Sequence, residues 1–344
     1  MHSQWGSSAG QQSGLDLAGQ SLNTELGDDP ADAGPDLRCA TWTRAQAVDP
    51  IGTAGSATAV LAVEWPQPWP ARMEEVPELR RLLEETAGAG VQLQAVVPDR
   101  SDPFALRVMA YTPSPGAGFE RTEATASRSD LVATALRLLR DPSPAPRSPL
   151  PDGVLDVQIC AHGRRDRCCG SLGTRLATRL LAQDSTEHRV RIWRTSHTGG
   201  HRFAPTAIVL PQGTVWAYLD EDSLLNILHR SGDLEELLPH YRGYLRLGSP
   251  ALQAIERAVL AEVGWPLFDM ARWGEELGGG HCRLHVETPS GGSSVWDGTV
   301  RTTRTLPVPV CGEPIEHAVK SQVELAVGEL ARVHLEGHRD PDAT

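Results

Sequence analysis

The sequence predicts an α/β fold in which one β-α-β-β-α unit is followed by a second unit of the same order. Three observations indicate this fold. Short apolar runs of strand length alternate with segments whose leucines recur at helical spacing. A proline-rich stretch at residues 141–151 separates two such series. The second series also repeats the order of the first, so we expect two related α/β domains packed side by side.

The first unit is expected in a domain of residues 39–140. Residues 57–64 form an apolar run that ends at a proline-rich turn, which is typical of a buried strand. Pro77 suits the first turn of the helix that follows, and Gly88 suits its end. The predicted elements are a strand at 57–64, a helix at 76–86, strands at 91–97 and 106–111, and a helix at 131–139.

The second unit is expected in a domain of residues 152–247. Its helix carries Leu172, Leu176 and Leu180 on one face. The segment Pro211-Gln-Gly213 predicts a hairpin between two of its strands. The predicted elements are a strand at 154–159, a helix at 171–183, a strand at 189–195, strands at 206–210 and 214–219, and a helix at 223–230.

The two ends of the chain differ from these units. Residues 1–38 are rich in Gly, Ser, Gln and Asp and lack the basic start and apolar centre of a secretory signal, so we expect a disordered leader and a cytoplasmic location. Residues 248–344 predict an α+β extension with a helix at 252–263 and paired strands at 282–287 and 295–303. Residues 313–335 mix strand and helix periodicities and receive no assignment.

The composition restricts the classes of partner. The net charge of −12 disfavours binding to nucleic acid and to anionic lipid. No apolar run reaches the roughly 20 residues of a membrane-spanning helix. Six unevenly spaced cysteines are too few for a disulfide framework in 344 residues, and they favour metal binding or redox chemistry in a reducing compartment.

Two cysteines and two histidines form the most informative pattern. Cys160 follows one predicted strand and Cys169 precedes a helix, while His197 and His201 follow another strand and flank a glycine pair. The carboxyl ends of neighbouring strands in an α/β sheet lie close together, so we expect the four side chains to meet. Two thiolates and two imidazoles suit either a zinc ion or a [2Fe–2S] cluster. Both possibilities remain open on the residues alone.

Other polar residues of the two loops are expected to orient or neutralise the bound group. They are His162, Arg165, Asp166, Cys168 and Arg202. Cys168 could also replace Cys169 as a ligand, because the two are adjacent. The remaining cysteines have no neighbours at ligand spacing and are predicted to be structural or incidental thiols: Cys39, Cys282 and Cys311.

The motifs Cys160-Ala-His-Gly-Arg-Arg-Asp-Arg-Cys-Cys169-Gly and His197-Thr-Gly-Gly-His-Arg-Phe-Ala-Pro205 resemble those of the sucrase/ferredoxin-like proteins. The resemblance spans about residues 39–244. It implies tandem thioredoxin-like domains, of which the second binds a [2Fe–2S] cluster through Cys160, Cys169, His197 and His201. It also implies a one-electron carrier rather than an enzyme, with a reductase and an acceptor as partner proteins. Because neutral imidazole carries less negative charge than thiolate, we expect a relatively high and pH-dependent potential.

Two other functions fit the same residues. A structural zinc site in a scaffold protein would use the same two cysteines and two histidines. A thiol–disulfide oxidoreductase is less favoured, because the chain lacks the Cys-x-x-Cys pattern usual for that activity.

Overall fold

The computed structural model describes residues 37–99, 105–140, 153–182 and 189–333. The predicted leader up to residue 36 and the proline-rich linker at 141–151 lie outside these ranges. The described helices are α1 (Cys39–Ala45), α2 (Pro77–Glu85), α3 (Leu131–Arg140), α4 (Thr174–Ala182), α5 (Glu221–His229), α6 (Leu234–Leu237) and α7 (Pro250–Val263).

The strands form two sheets, which confirms a mixed α/β protein. The first sheet has nine strands: β1 (Ala59–Glu64), β2 (Val91–Val96), β3 (Leu106–Pro113), β4 (Phe119–Ala126), β5 (Leu155–Cys160), β6 (Val190–Thr195), β7 (Ala207–Leu210), β8 (Thr214–Trp216) and β9 (Tyr241–Tyr244). The second has four: β10 (Ala271–Gly278), β11 (His281–Glu287), β12 (Ser293–Pro307) and β13 (Ser321–Val333).

The nine-stranded sheet contains one strand arrangement twice. In the first half β1 lies parallel to β2, β3 pairs antiparallel with β1, and β4 pairs antiparallel with β3. In the second half β5, β6, β7 and β8 repeat these relations in the same order. Both halves therefore share one strand order with four strands each, whereas the first unit was predicted with three, because β4 was not predicted.

The two halves meet through β2 and β6, which are antiparallel at Val96 and Thr195. Beyond that pair, the Ser196 hydroxyl accepts a hydrogen bond from the Ala95 amide at 3.0 Å and donates to the side chain of Gln94 at 3.1 Å. Strands from both predicted domains thus belong to one continuous sheet. The division of the chain at residues 141–151 stays a prediction.

Each half of the sheet is covered by helices that bury a leucine-lined face. Leu79 and Leu82 of α2 and Leu131 and Leu138 of α3 are at most 1 % exposed and pack on the first half. Burial of each such side chain stabilises the fold by roughly 2 kcal/mol. Helices α4, α5 and α7 contribute to the core of the second half.

A buried carboxylate fixes the centre of the sheet. Asp156 of β5 accepts hydrogen bonds from Arg191 at 2.6 Å, from Arg121 at 2.9 Å, from Trp193 at 2.8 Å and from Tyr111 at 2.7 Å. Burial by itself raises the pKa of Asp156, but these donors, led by Arg191, outweigh it and hold the pKa below its ordinary value. Four elements are therefore joined at one ionised side chain.

The C-terminal sheet packs against α7. The predicted pairing of residues 282–287 with 295–303 is confirmed by the antiparallel register of β11 and β12. The segment 313–335, left unassigned from sequence, contributes β13, which pairs along most of β12. In the described part of the chain, no helix combines the length and apolar character needed to cross a membrane.

Candidate metal centre

The first two predicted ligands lie at the ends of one short loop. Cys160 is the last residue of β5, and Cys169 begins a π-helical turn, Cys169–Gly173, that leads into α4. Such turns are frequent at functional sites. Both thiols are buried, with Cys160 1 % and Cys169 0 % exposed.

Glycines allow this loop to fold back on β5. A side chain at Gly173 would place its Cβ only 1.8 Å from the carbonyl oxygen of Cys160. A Cβ at Gly170 would lie 2.3 Å from the Cα of Gly163. Real Cβ atoms do not approach other atoms so closely, so the glycines let Cys169 approach Cys160.

The predicted histidine loop follows β6. Gly199 and Gly200 have φ values of +82° and +71°, in the left-handed region that favours glycine, so the chain reverses tightly between His197 and His201. The buried guanidinium of Arg242 lies beneath this turn and donates to the carbonyl oxygen of Gly199 at 3.1 Å. Arg242 lies far along the chain from both loops, and no motif around it indicated a role at this site.

The structure brings three of the four predicted ligands into one group. Ligand atoms of Cys160, Cys169 and His197 all lie within 4.8 Å of one another. The Nδ1 atom of His197 is buried and has no hydrogen-bond partner among the described residues. A buried polar atom without a partner is costly, and a bond to a metal would offset that cost.

His201 lies beside this group rather than within it. Its ring centroid is 5.9 Å from that of His197. Its Nδ1 atom is 3.0 Å from Asp166 Oδ2 and 3.3 Å from Cys39 Sγ. A carboxylate on one ring nitrogen fixes the orientation of an imidazole and leaves the other nitrogen as the ligand atom.

The two thiols of this group differ in their pKa values. The hydrogen bond from Cys169 lowers the pKa of Cys160 well below its usual value, and His197 and the Thr198 amide add to this effect. The same hydrogen bond, together with burial, raises the pKa of Cys169. The pKa of Cys160 is therefore the lower of the two, and a metal that bound both sulfurs would hold both as thiolates.

The other predicted residues of the two loops have different roles. Asp166 Oδ1 accepts hydrogen bonds from the amides of Cys168 and Cys169, at 2.8 and 3.2 Å. His162 contacts the carbonyl oxygen of Pro70 at 2.7 Å through Nε2, and burial lowers its pKa.

The two arginines predicted for the site do not face the thiols. Arg165 is exposed. Arg202 donates to Gln322 of β13 and covers the ring of Phe203, and burial lowers its pKa to about 10. Of the two, only Arg202 is part of a buried contact, and that contact is with the C-terminal sheet.

A second group of thiols was missed from the sequence. Cys168 Sγ lies 3.3 Å from Cys311 Sγ, which lies 3.4 Å from Cys39 Sγ. These three sulfurs and a carboxylate oxygen of Asp166 lie within 4.8 Å of one another. Cys39 and Cys311 are therefore not isolated. Among the described residues, Cys282 joins neither group.

One feature of the sequence could have indicated this second group: Cys168 and Cys169 are adjacent. The side chains of consecutive residues in a helical turn point about 100° apart, so they contact different parts of the protein. Cys169 faces Cys160 and His197, and Cys168 faces Cys39 and Cys311. The distance of 272 residues between the last two gives no pattern that a sequence could reveal.

Comparison with known proteins gives one finding for the chain. A family model described as Sucrase/ferredoxin-like matches residues 50–243, which is more than half of the 344 residues. No curated protein and no solved structure shows a significant match.

Proposed function

This chain belongs to the sucrase/ferredoxin-like family, and we propose that it is a one-electron carrier with a [2Fe–2S] cluster held by Cys160, Cys169, His197 and His201. One observation carries the proposal. Two loops from separate strand ends bring two buried thiols and one imidazole within 4.8 Å of each other, with a second imidazole beside them.

The distances among the four side chains favour a two-iron cluster over a single metal ion. A single tetrahedral ion with bonds of about 2.0–2.3 Å requires all four ligand atoms to be close neighbours. Cys160, Cys169 and His197 meet that condition, and His201 is not part of their group. A [2Fe–2S] cluster divides its ligands between two irons, so a wider set fits it.

The repeated strand arrangement supports the finer proposal for the fold. Each half has a parallel pair followed by two antiparallel strands, with helices on its faces. We infer that the halves are two thioredoxin-like units, of which the first lacks the cysteine and histidine ligands and supports the second.

The chain's own groups would set a relatively high reduction potential. Bound here, the cluster would supply one-electron transfer. Two neutral imidazoles contribute less negative charge than two thiolates, and the buried Arg242 adds positive charge behind the histidine loop. Both effects favour an added electron.

The exposure of the ligands indicates where partner proteins would dock. His197 is half-buried and the side chain of His201 is 21 % exposed, whereas both thiols are buried. A reductase and an acceptor would therefore approach the loop 197–201.

All six cysteines are free thiols, which supports a reducing compartment such as the cytoplasm.

The proposal is tested on the full chain purified without oxygen. We expect a red-brown protein with about two irons and two sulfides per chain in this site and a paramagnetic signal after reduction by dithionite. A colourless protein that carries zinc at Cys160 and Cys169, judged by loss of zinc in their serine variants, would favour the structural zinc site instead.

Replacing His197 by cysteine tests the role of the imidazole. The variant should still bind the cluster, and its potential should fall by on the order of 100 mV, because thiolate adds negative charge. Redox titration followed by visible absorption measures the change. His281→Cys is the matched control, since His281 is exposed on β11, and its potential should equal that of the wild type. An unaltered potential in a cluster-bound His197→Cys protein contradicts histidine ligation.

A further inference from the structure

Three cysteines from distant parts of the chain meet at a second centre. Cys39 begins α1, Cys168 precedes the π-helical turn, and Cys311 lies in the loop between β12 and β13. Cys39 and Cys168 are at most 2 % exposed. A cluster in which Cys311 Sγ lies 3.3 and 3.4 Å from the sulfurs of Cys168 and Cys39, with no disulfide, is not accounted for by the first site.

A carboxylate completes the group. Asp166 is 6 % exposed, and its Oδ2 atom lies 3.5 Å from Cys39 Sγ. Its other oxygen, Oδ1, is held by the amides of Cys168 and Cys169. Oδ2 is therefore directed toward Cys39 Sγ, and it also lies 3.0 Å from His201 Nδ1, so Asp166 lies between the second centre and the histidine loop.

We propose that Cys39, Cys168, Cys311 and Asp166 bind one zinc ion, separate from the group held by Cys160, Cys169 and the histidines. Three thiolates select a soft or borderline cation, and zinc accepts a carboxylate oxygen beside them. Tetrahedral zinc with bonds of about 2.0–2.3 Å sets its ligand atoms roughly 3.5–3.8 Å apart. Three of the separations, Cys311 to Cys168, Cys311 to Cys39 and Cys39 to Asp166, are 3.3–3.5 Å, and all four ligand atoms lie within 4.8 Å of one another, so small adjustments reach that geometry.

The ion would join segments that the sheet pairing leaves separate. The amide of Gly312, next to Cys311, donates to the carbonyl oxygen of Leu37 at 2.9 Å, so the C-terminal loop already contacts the segment before α1. Cys39 and Cys311 both lie outside the family-matched residues 50–243. The site thus fastens the two flanking segments to the cysteine loop of the matched region.

The proposal is tested by measuring zinc and iron in the full chain and in single cysteine variants. We expect about one zinc per wild-type chain. Cys311→Ser and Cys39→Ser should each lower the bound zinc at least fivefold, and Cys311→Ser should keep the visible spectrum of the first centre. Cys160→Ser should keep the zinc, and Cys282→Ser, the matched control for a buried thiol, should keep both metals.

A second measurement, cobalt absorption, tests the site if a cysteine variant folds poorly. Cobalt added to metal-free Cys160→Ser protein, whose first centre is disabled, should give thiolate-to-cobalt charge-transfer absorption, and adding Cys311→Ser to that protein should remove most of it. Zinc that is absent from the wild type, that survives both Cys39→Ser and Cys311→Ser, or that disappears in Cys160→Ser overturns the proposal. Since each centre is scored by its own metal, failure of the zinc site is distinguishable from failure of the cluster.

Discussion

Replacing Cys160 by serine is expected to abolish the visible absorption and the paramagnetic signal of the reduced protein. Cys160 is a buried member of the first group, and its sulfur lies within 4.8 Å of Cys169 Sγ and of a ring nitrogen of His197. A serine hydroxyl does not ionise near neutral pH, so it binds the iron of a cluster far more weakly than a thiolate does. We expect iron content to fall by more than about tenfold.

The control for this variant is Cys282→Ser. Cys282 is also a buried free thiol, at 1 % exposure, but it lies on β11 in the four-stranded sheet. Its iron content and spectrum should match those of the wild type. If Cys160→Ser retained full iron while its far-ultraviolet circular dichroism stayed native, the assignment of Cys160 as a ligand would be wrong.

Replacing Asp156 by asparagine is expected to lower the free energy of unfolding by about 3–5 kcal/mol at pH 7. The carboxylate is 0 % exposed and neutralises Arg191 and Arg121, whose side chains are 17 % and 13 % exposed. Its loss leaves two largely buried guanidinium groups without their common partner. The midpoint of urea unfolding, with its slope, measures the change.

The pH dependence of this effect has a definite sign. The pKa of Asp156 is depressed in the folded protein. Its contribution to stability is therefore complete above the unfolded value of about 3.9 and is lost as the pH falls through the lower folded pKa. The difference between wild type and Asp156→Asn should be full at pH 7 and should narrow below about pH 4.

The matched control for Asp156 is Asp297→Asn on the C-terminal sheet. Asp297 pairs with Arg283 at 2.7 Å, but both side chains are about one-third exposed. Exposed pairs contribute little to stability, so this variant should unfold almost as the wild type does. An equal loss in the two variants would contradict the special role of the buried carboxylate.

The sequence predicted those helices and strands whose apolar residues recur regularly because they are buried in the core. The apolar run of β1 and the leucine faces of α2 and α4 are examples. The strand β4 was missed because its residues alternate charge and Thr, and most of its interior positions are only half-buried. The strand β13 was missed because its pairing with β12, rather than a regular apolar face, fixes its conformation.

No pattern in the sequence predicts where the two halves of the sheet join. The two strands that meet there, β2 and β6, are separated by almost 100 residues, and their contact depends on hydrogen bonds of Ser196 with Gln94 and Ala95. Neither half contains a local signal for that pairing. Two adjacent domains were therefore the natural prediction, where the structure has one shared sheet.

The site was predictable to the extent that its residues lie at strand ends. Cys160 and His197 follow β5 and β6, which are neighbours, and the expected meeting of these loops is found. The contact of His201 with Asp166, the support from Arg242 and the second thiol group depend on tertiary packing over long sequence distances. Sequence spacing carries no information about such contacts.

The pairing of β2 with β6 has a consequence for any attempt to shorten the chain. Removing the first half would leave the carbonyl of Arg194 and the amide of Ser196, at the end of β6, without their partners Val97 and Ala95, and exposed strand edges template aggregation. The same cut would release Ser196, whose hydrogen bonds to the first half hold the residue next to His197. The first half therefore both covers this end of β6 and holds Ser196 in place, and a fragment that began at β5 would lose both contacts.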